Sequence, residues 1–279
     1  MFEYVLSQGG EPLKLNDAND AATRVWSRAV KETMPSLIVY IHGRDIKPRL
    51  GVNLKDGEPK SSFKEGIFAE LESAVTSIML HWPHSVKVWD SQAVPVEHAK
   101  AAAPALVSLI QSLVAKRPAN ANAKVIVVTH STGSIVLEES VRNTNADAWN
   151  GVHSAVIASA ASPIAGSKNW LEKCPFKKFV TVNKDDKTLG AASNGGPFLG
   201  KQTAATFPQT EIDLSTMYFD VGNLNVGHRY FVKAGSKSNP EDLEKLASLF
   251  FRKIYRGEVL DLSKYEQAGE SSNFYQLRA

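Results

Sequence analysis

Apolar positions fall along the chain in two alternating rhythms. Short runs of strand length carry consecutive hydrophobic residues: "SLIVYIHG" (36–43), "IMLHWPHS" (78–85), "KVIVVTHS" (124–131), "AVIASAAS" (155–162), "KFVTVNKDD" (178–186) and a weaker "TEIDLST" (210–216). A run that is apolar on both faces suits a strand buried in a parallel sheet, and parallel strands need helices as crossovers. Such helices can be read between the runs. Leu106, Leu109, Ile110, Leu113 and Val114 recur at i, i+3, i+4, i+7 and i+8, which predicts a helix from near Glu97 to before Pro118. The span Phe63 to Val75 predicts another, one crossover earlier. Near the carboxyl end, Asn239-Pro240-Glu241-Asp242 supplies a cap, a proline at the first helical position and early acids. Leu243, Leu246, Phe250 and Ile254 follow on one face, which predicts a final covering helix. "FEYVLS" and "PLKLN" read as a short antiparallel lead-in. The expected fold is α/β, with a mostly parallel central sheet and helices on both faces.

Composition narrows this further. A chain of 279 residues that is 43% hydrophobic can bury a sizeable core, and a single domain over residues 1–279 is expected. The formal charge of +3 comes from 32 basic and 29 acidic residues spread along the chain, without the basic patch that nucleic acid requires. No apolar run approaches the roughly 20 residues of a membrane-spanning helix, and no signal peptide is read at the amino terminus. Cys174 is the single cysteine, which fits a reducing compartment, so a cytoplasmic location is expected, with signal-independent secretion left open. Two polar, glycine-bearing stretches, 45–62 and 190–208, follow strand candidates directly and are expected to shape the entrance to a site.

The chemistry is concentrated in "VIVVTHSTGSIV" (125–136), a strand running through Ser131 into a helical pattern. A sharp strand-to-helix turn lifts a serine Oγ above the sheet, and it demands small residues two places before and after. Gly133 meets that demand and Thr129 meets it partly. Such a turn also sets the serine at a helix amino terminus, where free N–H groups favour developing negative charge. A serine that merely caps the helix has the same context, so the stretch alone leaves both readings open.

Candidate partners bear on the choice, because serine becomes a nucleophile when a histidine accepts its proton and a carboxylate holds that histidine's tautomer. Asp185 and Asp186 follow the strand "KFVTVN", and "GNLNVGHRYF" then presents His228 in a glycine-flanked loop. Taken singly, the aspartates read as a solvated turn and His228 as a loop histidine. Their order after Ser131 favours a triad. Among the other histidines, His130 reads as packing beside the site, and His81 and His84 flank Trp82-Pro83, where they either line a pocket or hold structure. His98 and His153 have no supporting context. "YIHGRD" ends a strand in His42-Gly43-Arg44, so the backbone N–H groups of Arg44 and Thr132 are the candidate oxyanion donors.

In this order the motifs resemble the α/β-hydrolase superfamily, and in particular a branch of bacterial serine hydrolases. That branch has an HG turn, a WP after the next strand, an HSxG elbow and an acid written D-x-x-L. Here these are His42-Gly43, Trp82-Pro83, His130-Ser131-Thr132-Gly133 and Asp186-Lys187-Thr188-Leu189, and the resemblance covers residues 36 to 232. It selects Asp186 over Asp185. It departs from the branch at Thr129 and Thr132 and in having no large cap insertion. The resemblance implies a serine hydrolase that cleaves a carboxylic ester, esterase or lipase-like, with Ser131, Asp186 and His228 as triad, Arg44 and Thr132 as oxyanion hole, and no metal or cofactor.

The pocket candidates are His42, Gly43, His81, Trp82, His130 and Phe198, the last within a stretch whose Pro197, Phe198, Leu199 and Phe207 suit either a flap or a packed loop. Arg44, Lys47 and Arg49 read as a solvated basic loop or as a seat for an anionic ester. The expected substrate is a small-molecule or lipid ester. A phospholipase-type antibacterial effector with a cognate inhibitor protein is one form of this reading. A non-catalytic binding protein on a hydrolase scaffold is the alternative from another class.

Overall fold

The computed structural model describes residues 3–8, 11–43, 74–82, 93–191, 197–228, 230, 239–268 and 273–277. Loop 45–62 and all but the last two residues of the span Phe63 to Val75 lie outside them. One ten-stranded sheet runs through the molecule. Its strands in chain order are β1 (Glu3–Gln8), β2 (Glu11–Leu15), β3 (Ser36–Ile41), β4 (Thr76–His81), β5 (Lys124–His130), β6 (Val152–Ala158), β7 (Lys177–Val182), β8 (Thr216–Asp220), β9 (Tyr265–Gln267) and β10 (Phe274–Leu277). Across the sheet they lie in the order β2-β1-β4-β3-β5-β6-β7-β8-β10-β9. β4, β3, β5, β6, β7, β8 and β10 are mutually parallel, with antiparallel pairs at the two edges.

The doubly apolar runs are buried on both faces because neighbouring residues point to opposite sides. Leu37, Val39 and Ile41 enter one core, and Ile38 and Tyr40 enter the other. Helices α1 (Ala18–Lys31), α2 (Ala93–Ala115) and α3 (Gly133–Arg142) cover the first face. Trp26 of α1 is buried there and donates its Nε1–H to the Leu113 carbonyl of α2 at 2.7 Å. Each large apolar side chain buried this way contributes about 1.5–3 kcal/mol.

The second face is covered by the predicted final helix. Asn239 accepts hydrogen bonds from the N–H groups of Glu241 and Asp242, and α6 (Pro240–Leu246) follows. The helix then widens into a π turn (Ala247–Phe251) before α7 (Arg252–Tyr255), which brings Phe250 and Phe251 together into the core beside Leu246 and Ile254. Two short helices, α4 (Ser167–Leu171) and α5 (Lys187–Ala191), follow β6 and β7.

Two local expectations differ from the structure, and of the two readings of stretch 190–208 its described residues fit the packed loop. "TEIDLST" is not a strand: Asp213 accepts the Ser215 N–H and the Thr216 hydroxyl, and this turn delays β8 until Thr216. α2 starts at Ala93 rather than near Glu97, and Val114 at its end is exposed. The stretch 190–208 is largely packed where it is described. Phe198, Leu199 and Phe207 are buried, and the Leu199 and Gly200 N–H groups bond to the carbonyls of Ser162 and Ala160.

Candidate active site

Parallel register brings the carboxyl ends of the central strands to one edge. Ile41 pairs with Thr129, His130 with Ala158, and Val182 with Asp220. The segments just beyond, His42-Gly43, Ser131-Thr132, Ser159-Ala160 and Asn183 to Asp186, therefore gather at the place where open α/β sheets bind ligands.

Ser131 is the first residue past β5 and has φ +51°, a left-handed conformation costing a non-glycine residue on the order of 1–3 kcal/mol. Surrounding bonds hold it there. Its N–H donates to the Ala158 carbonyl at 3.0 Å, and its own carbonyl accepts from the Ser134 and Ala161 N–H groups and from Ser134 Oγ. Ser134 Oγ in turn accepts from the Ser162 N–H at 3.1 Å. The helix-capping position belongs to Thr132, which makes no side-chain cap bond. Ser131 is thus a strained turn residue with positive φ immediately before the helix start. The Thr132 N–H has no hydrogen-bond partner among the described residues, and it stands at the opening of α3.

Both glycines near this turn are there for space. A Cβ on Gly133 would stand 2.5 Å from the Ile41 carbonyl oxygen and 2.7 Å from that of His42. One on Gly43 would stand 2.8 Å from the Ser131 Cβ and 2.9 Å from the His130 carbonyl oxygen. The turn after β3 and the turn after β5 are therefore in direct contact. His42 fixes the first of them: its Nδ1 lies 2.7 Å from the Gly43 carbonyl oxygen and its Nε2 accepts the Trp82 N–H at 3.3 Å. This arrangement requires the neutral Nδ1–H tautomer. Trp82 is fully buried, stacks on the His42 ring and donates its indole N–H to the His42 carbonyl. His81 lies against His42 with ring centroids 5.2 Å apart.

Of the two aspartates, Asp185 is exposed and Asp186 is buried. Asp186 Oδ1 accepts the N–H groups of Thr188 and Leu189, both at 3.0 Å, at the start of α5. Its Oδ2 lies 2.7 Å from His228 Nδ1. A carboxylate only accepts, so Nδ1 carries the hydrogen and the neutral ring keeps its lone pair on Nε2. His130 also reaches this histidine, with ring centroids 4.7 Å apart.

Three supporting residues, Ser159, Thr181 and Tyr230, and one further carboxylate at this edge were not read from the sequence. Ser159, itself at φ +48°, donates its hydroxyl to the His228 carbonyl at 3.0 Å. The Ser159 N–H donates to Tyr230 Oη at 3.2 Å, and Tyr230 Oη and Thr181 Oγ1 are 2.5 Å apart. Burial pushes the Tyr230 phenol up to about 12, which keeps its hydrogen in place for that bond. Asp220, at the end of β8, is a further carboxylate at this edge; burial raises its pKa, and its Oδ1 accepts the Gly222 N–H. Tyr230 lies two residues past His228, but no spacing pattern links Ser159, Thr181 or Asp220 to it in sequence. Arg44 and His84 lie outside the described residues. Phe198 is buried and bridges to Pro163, beside the segment that bonds to the Ser131 carbonyl. Among the described residues, no group of three or more His, Cys, Asp or Glu side chains is placed to hold a metal ion, and no helix is long and apolar enough to cross a membrane.

The family model described as "Alpha/beta hydrolase of unknown function (DUF900)" matches residues 18–163, more than half of the chain, including β3 to β6 and the Ser131 turn. The chain belongs to this family. The sheet order and the covering helices of this α/β-hydrolase agree with that assignment. No curated protein matches the sequence. Among solved structures, esterase PE8 is similar over 79% of this chain and 93% of its own, at 16% identity and a TM-score of 0.42. Thermogutta terrifontis esterase 2 phosphoramylated by tabun is similar over 79% and 84%, at 11% identity and a TM-score of 0.39. An uncharacterized protein from Bacillus cereus ATCC 10987 is similar over 79% and 59%, at 16% identity and a TM-score of 0.42.

Proposed function

We infer that this α/β-hydrolase is a serine hydrolase that cleaves carboxylic esters through an acyl-enzyme, with Ser131 as nucleophile. The observation that carries the reading is the left-handed Ser131 at the carboxyl edge of the sheet where the His228–Asp186 pair, its carboxylate buried, also lies. Strain at a serine between two sterically required glycines has no use in a plain helix start. In the proposed reaction His228 Nε2 takes the Ser131 proton as Oγ attacks the ester carbonyl. Asp186, locked by two backbone N–H groups, keeps Nδ1–H aligned and stabilises the imidazolium.

The negative charge on the tetrahedral carbonyl oxygen would be met by the Thr132 N–H and by the Arg44 N–H. Two such donors are worth several kcal/mol in a site closed to water. His228 then returns the proton to the leaving alcohol, and a water molecule, activated by the same imidazole, releases the acid and restores Ser131. The stacked His42–Trp82 pair has a positioning role, holding Gly43 against the serine. The entrance would be shaped by stretches 45–62 and 190–208, and the substrate would be a small-molecule or lipid ester.

The direct test is labelling with a fluorophosphonate, read by intact mass, on the purified protein and on Ser131→Ala. A single adduct on the first and none on the second is the expected outcome. A folded protein that takes no adduct would instead support a non-catalytic scaffold.

A further inference from the structure

At the opposite end of the sheet, where β5, β6, β7 and β8 begin, lies a cavity of about 260 Å³ between the strand starts and the turn after α7. At ~3.3 Å per residue, β5 alone places it about 20 Å from Ser131. One side carries cationic and polar groups. Lys124, His153 and Lys177 stand at the starts of three adjacent strands and all line it, together with Lys178, Ser215 and the exposed Glu258, whose carboxylate is paired with Lys253. The other side is apolar, made by Phe179, Met217, Ile254 and Leu260.

Three observations set this cavity apart from an ordinary void beneath a helix. First, β6 is irregular there: Val125 pairs with Val152 and Ile126 with Ser154, so His153 is an extra residue without a partner position on β5. Such bulges re-aim side chains, and here His153 and Ser154 both line the cavity. Second, neither Lys124, whose Nζ donates to the Gly257 carbonyl at 2.6 Å, nor Lys177 has a carboxylate within ion-pair distance among the described residues, whereas the neighbouring Lys178 is paired with Asp213 at 2.8 Å. Burial and the Lys124 and Lys177 ammonium groups together hold the His153 imidazole below its usual pKa. Third, four large hydrophobic side chains are exposed among the described residues, and two of them, Val259 at 87% and Leu262 at 39%, line this cavity.

We propose that this cavity is a second ligand site, separate from Ser131, that binds a short aliphatic carboxylate. The anion is set against Lys124, Lys177 and His153, and the chain lies along Phe179, Met217, Ile254 and Leu260. Charge complementarity calls for an anion, and the apolar wall calls for an alkyl chain. The volume sits just below the roughly 300–1,000 Å³ of small-molecule clefts, which suits one short chain and not a diacyl lipid. Lysines without an arginine fork favour a simple point-charge contact over bidentate phosphate recognition. The proposal does not depend on the chemistry at Ser131.

The test is isothermal titration of the whole protein with octanoate, octanol and sulfate. Saturable one-to-one binding of octanoate is expected, with octanol at least fivefold weaker and no saturable binding of sulfate. Lys177 is exposed, so Lys177→Glu should leave the fold intact, as a thermal melt will check, and weaken octanoate at least fivefold by replacing an attraction with a repulsion. Leu260→Trp should remove binding by filling the cavity. Four results would each overturn the proposal: no saturable octanoate binding, octanol binding as tightly as octanoate, sulfate binding as tightly, or octanoate affinity unchanged in Lys177→Glu. The last would place the ligand elsewhere, the Ser131 edge included, and it remains decisive even if Leu260→Trp fails to fold.

Discussion

Gly133→Ala isolates the contact on which the proposed nucleophile turn depends, because two physical effects give it opposite signs. Gly133 opens α3 with ordinary helical geometry, and in an uncrowded helix replacing glycine with alanine stabilises by up to about 1 kcal/mol. Here the added Cβ would meet the Ile41 oxygen at 2.5 Å, the His42 oxygen at 2.7 Å and the Ile41 carbonyl carbon at 3.1 Å. All three are backbone atoms of a central strand and its turn, so none can swing aside. Ordinary contact lies near 3.5–4.0 Å, so the helix start must retreat by about 1 Å.

Overpacking of this kind costs about 1–3 kcal/mol, which outweighs the helix-propensity gain. For a chain of this size that lowers Tm by about 2–5 °C. The displacement falls on Thr132 and Ser131, and a misplacement of ~1 Å in a catalytic group costs on the order of 10²-fold in rate. Thermal melting together with the rate of fluorophosphonate labelling reads both quantities. A Tm equal to or above that of the unmodified protein would refute the packing argument. A lowered Tm with an unchanged labelling rate would refute the coupling between the helix start and the serine.

Asp186→Asn keeps an oxygen for the Thr188 and Leu189 N–H groups but no longer holds the Nδ1–H tautomer of His228, so the labelling rate should fall by about 10³–10⁴-fold with little change in the melt. Lys178→Met should destabilise by about 3–5 kcal/mol at pH 7 in urea denaturation, because it leaves the Asp213 carboxylate buried without its cation. Burial pushes the Asp213 carboxyl up, but the Lys178 ammonium and the hydroxyl and N–H donors of Thr216 and Ser215 outweigh it and hold the pKa below the usual range. That stabilisation is present above the ordinary aspartate pKa and is lost as pH falls through the lower folded value, so the gap between the two proteins should narrow in acid; a constant gap would contradict the assignment. Burial pushes the Cys174 thiol up to about 12, so iodoacetamide at pH 8 should modify it only after denaturation, and rapid modification of the native protein would show that the site opens.

Much of the architecture could be read along the chain because buried parallel strands write themselves as doubly apolar runs. β3 to β7 each fall within or overlap such a run, and the cap at Asn239 marked the last covering helix. α1 was missed because the helix is polar overall and its inward face is largely alanine, with Val25 and Trp26 the only large apolar residues there, so the face is amphipathic without the leucine and isoleucine repeat that marks α2. β10 was missed because it has only four residues, and its partners are the distant β8 and the three-residue β9. Pairing over such distances leaves no local signal.

By itself the sequence determined the order of chemical types along the edge: an HG turn, a serine before a glycine, a carboxylate after a later strand and a histidine after the next. It could do so because strand direction and crossover helices are encoded locally. The D-x-x-L resemblance already picks Asp186 over Asp185, but only the tertiary structure shows why: the α5 N–H groups hold Asp186 buried against a histidine 42 residues away. Only the tertiary structure, too, decided the left-handed Ser131 pressed between two turns and the Ser159–Thr181–Tyr230 bonds that hold the His228 loop. Backbone strain and hydrogen bonds between distant strands are set by packing, and packing exists only once the sheet has formed.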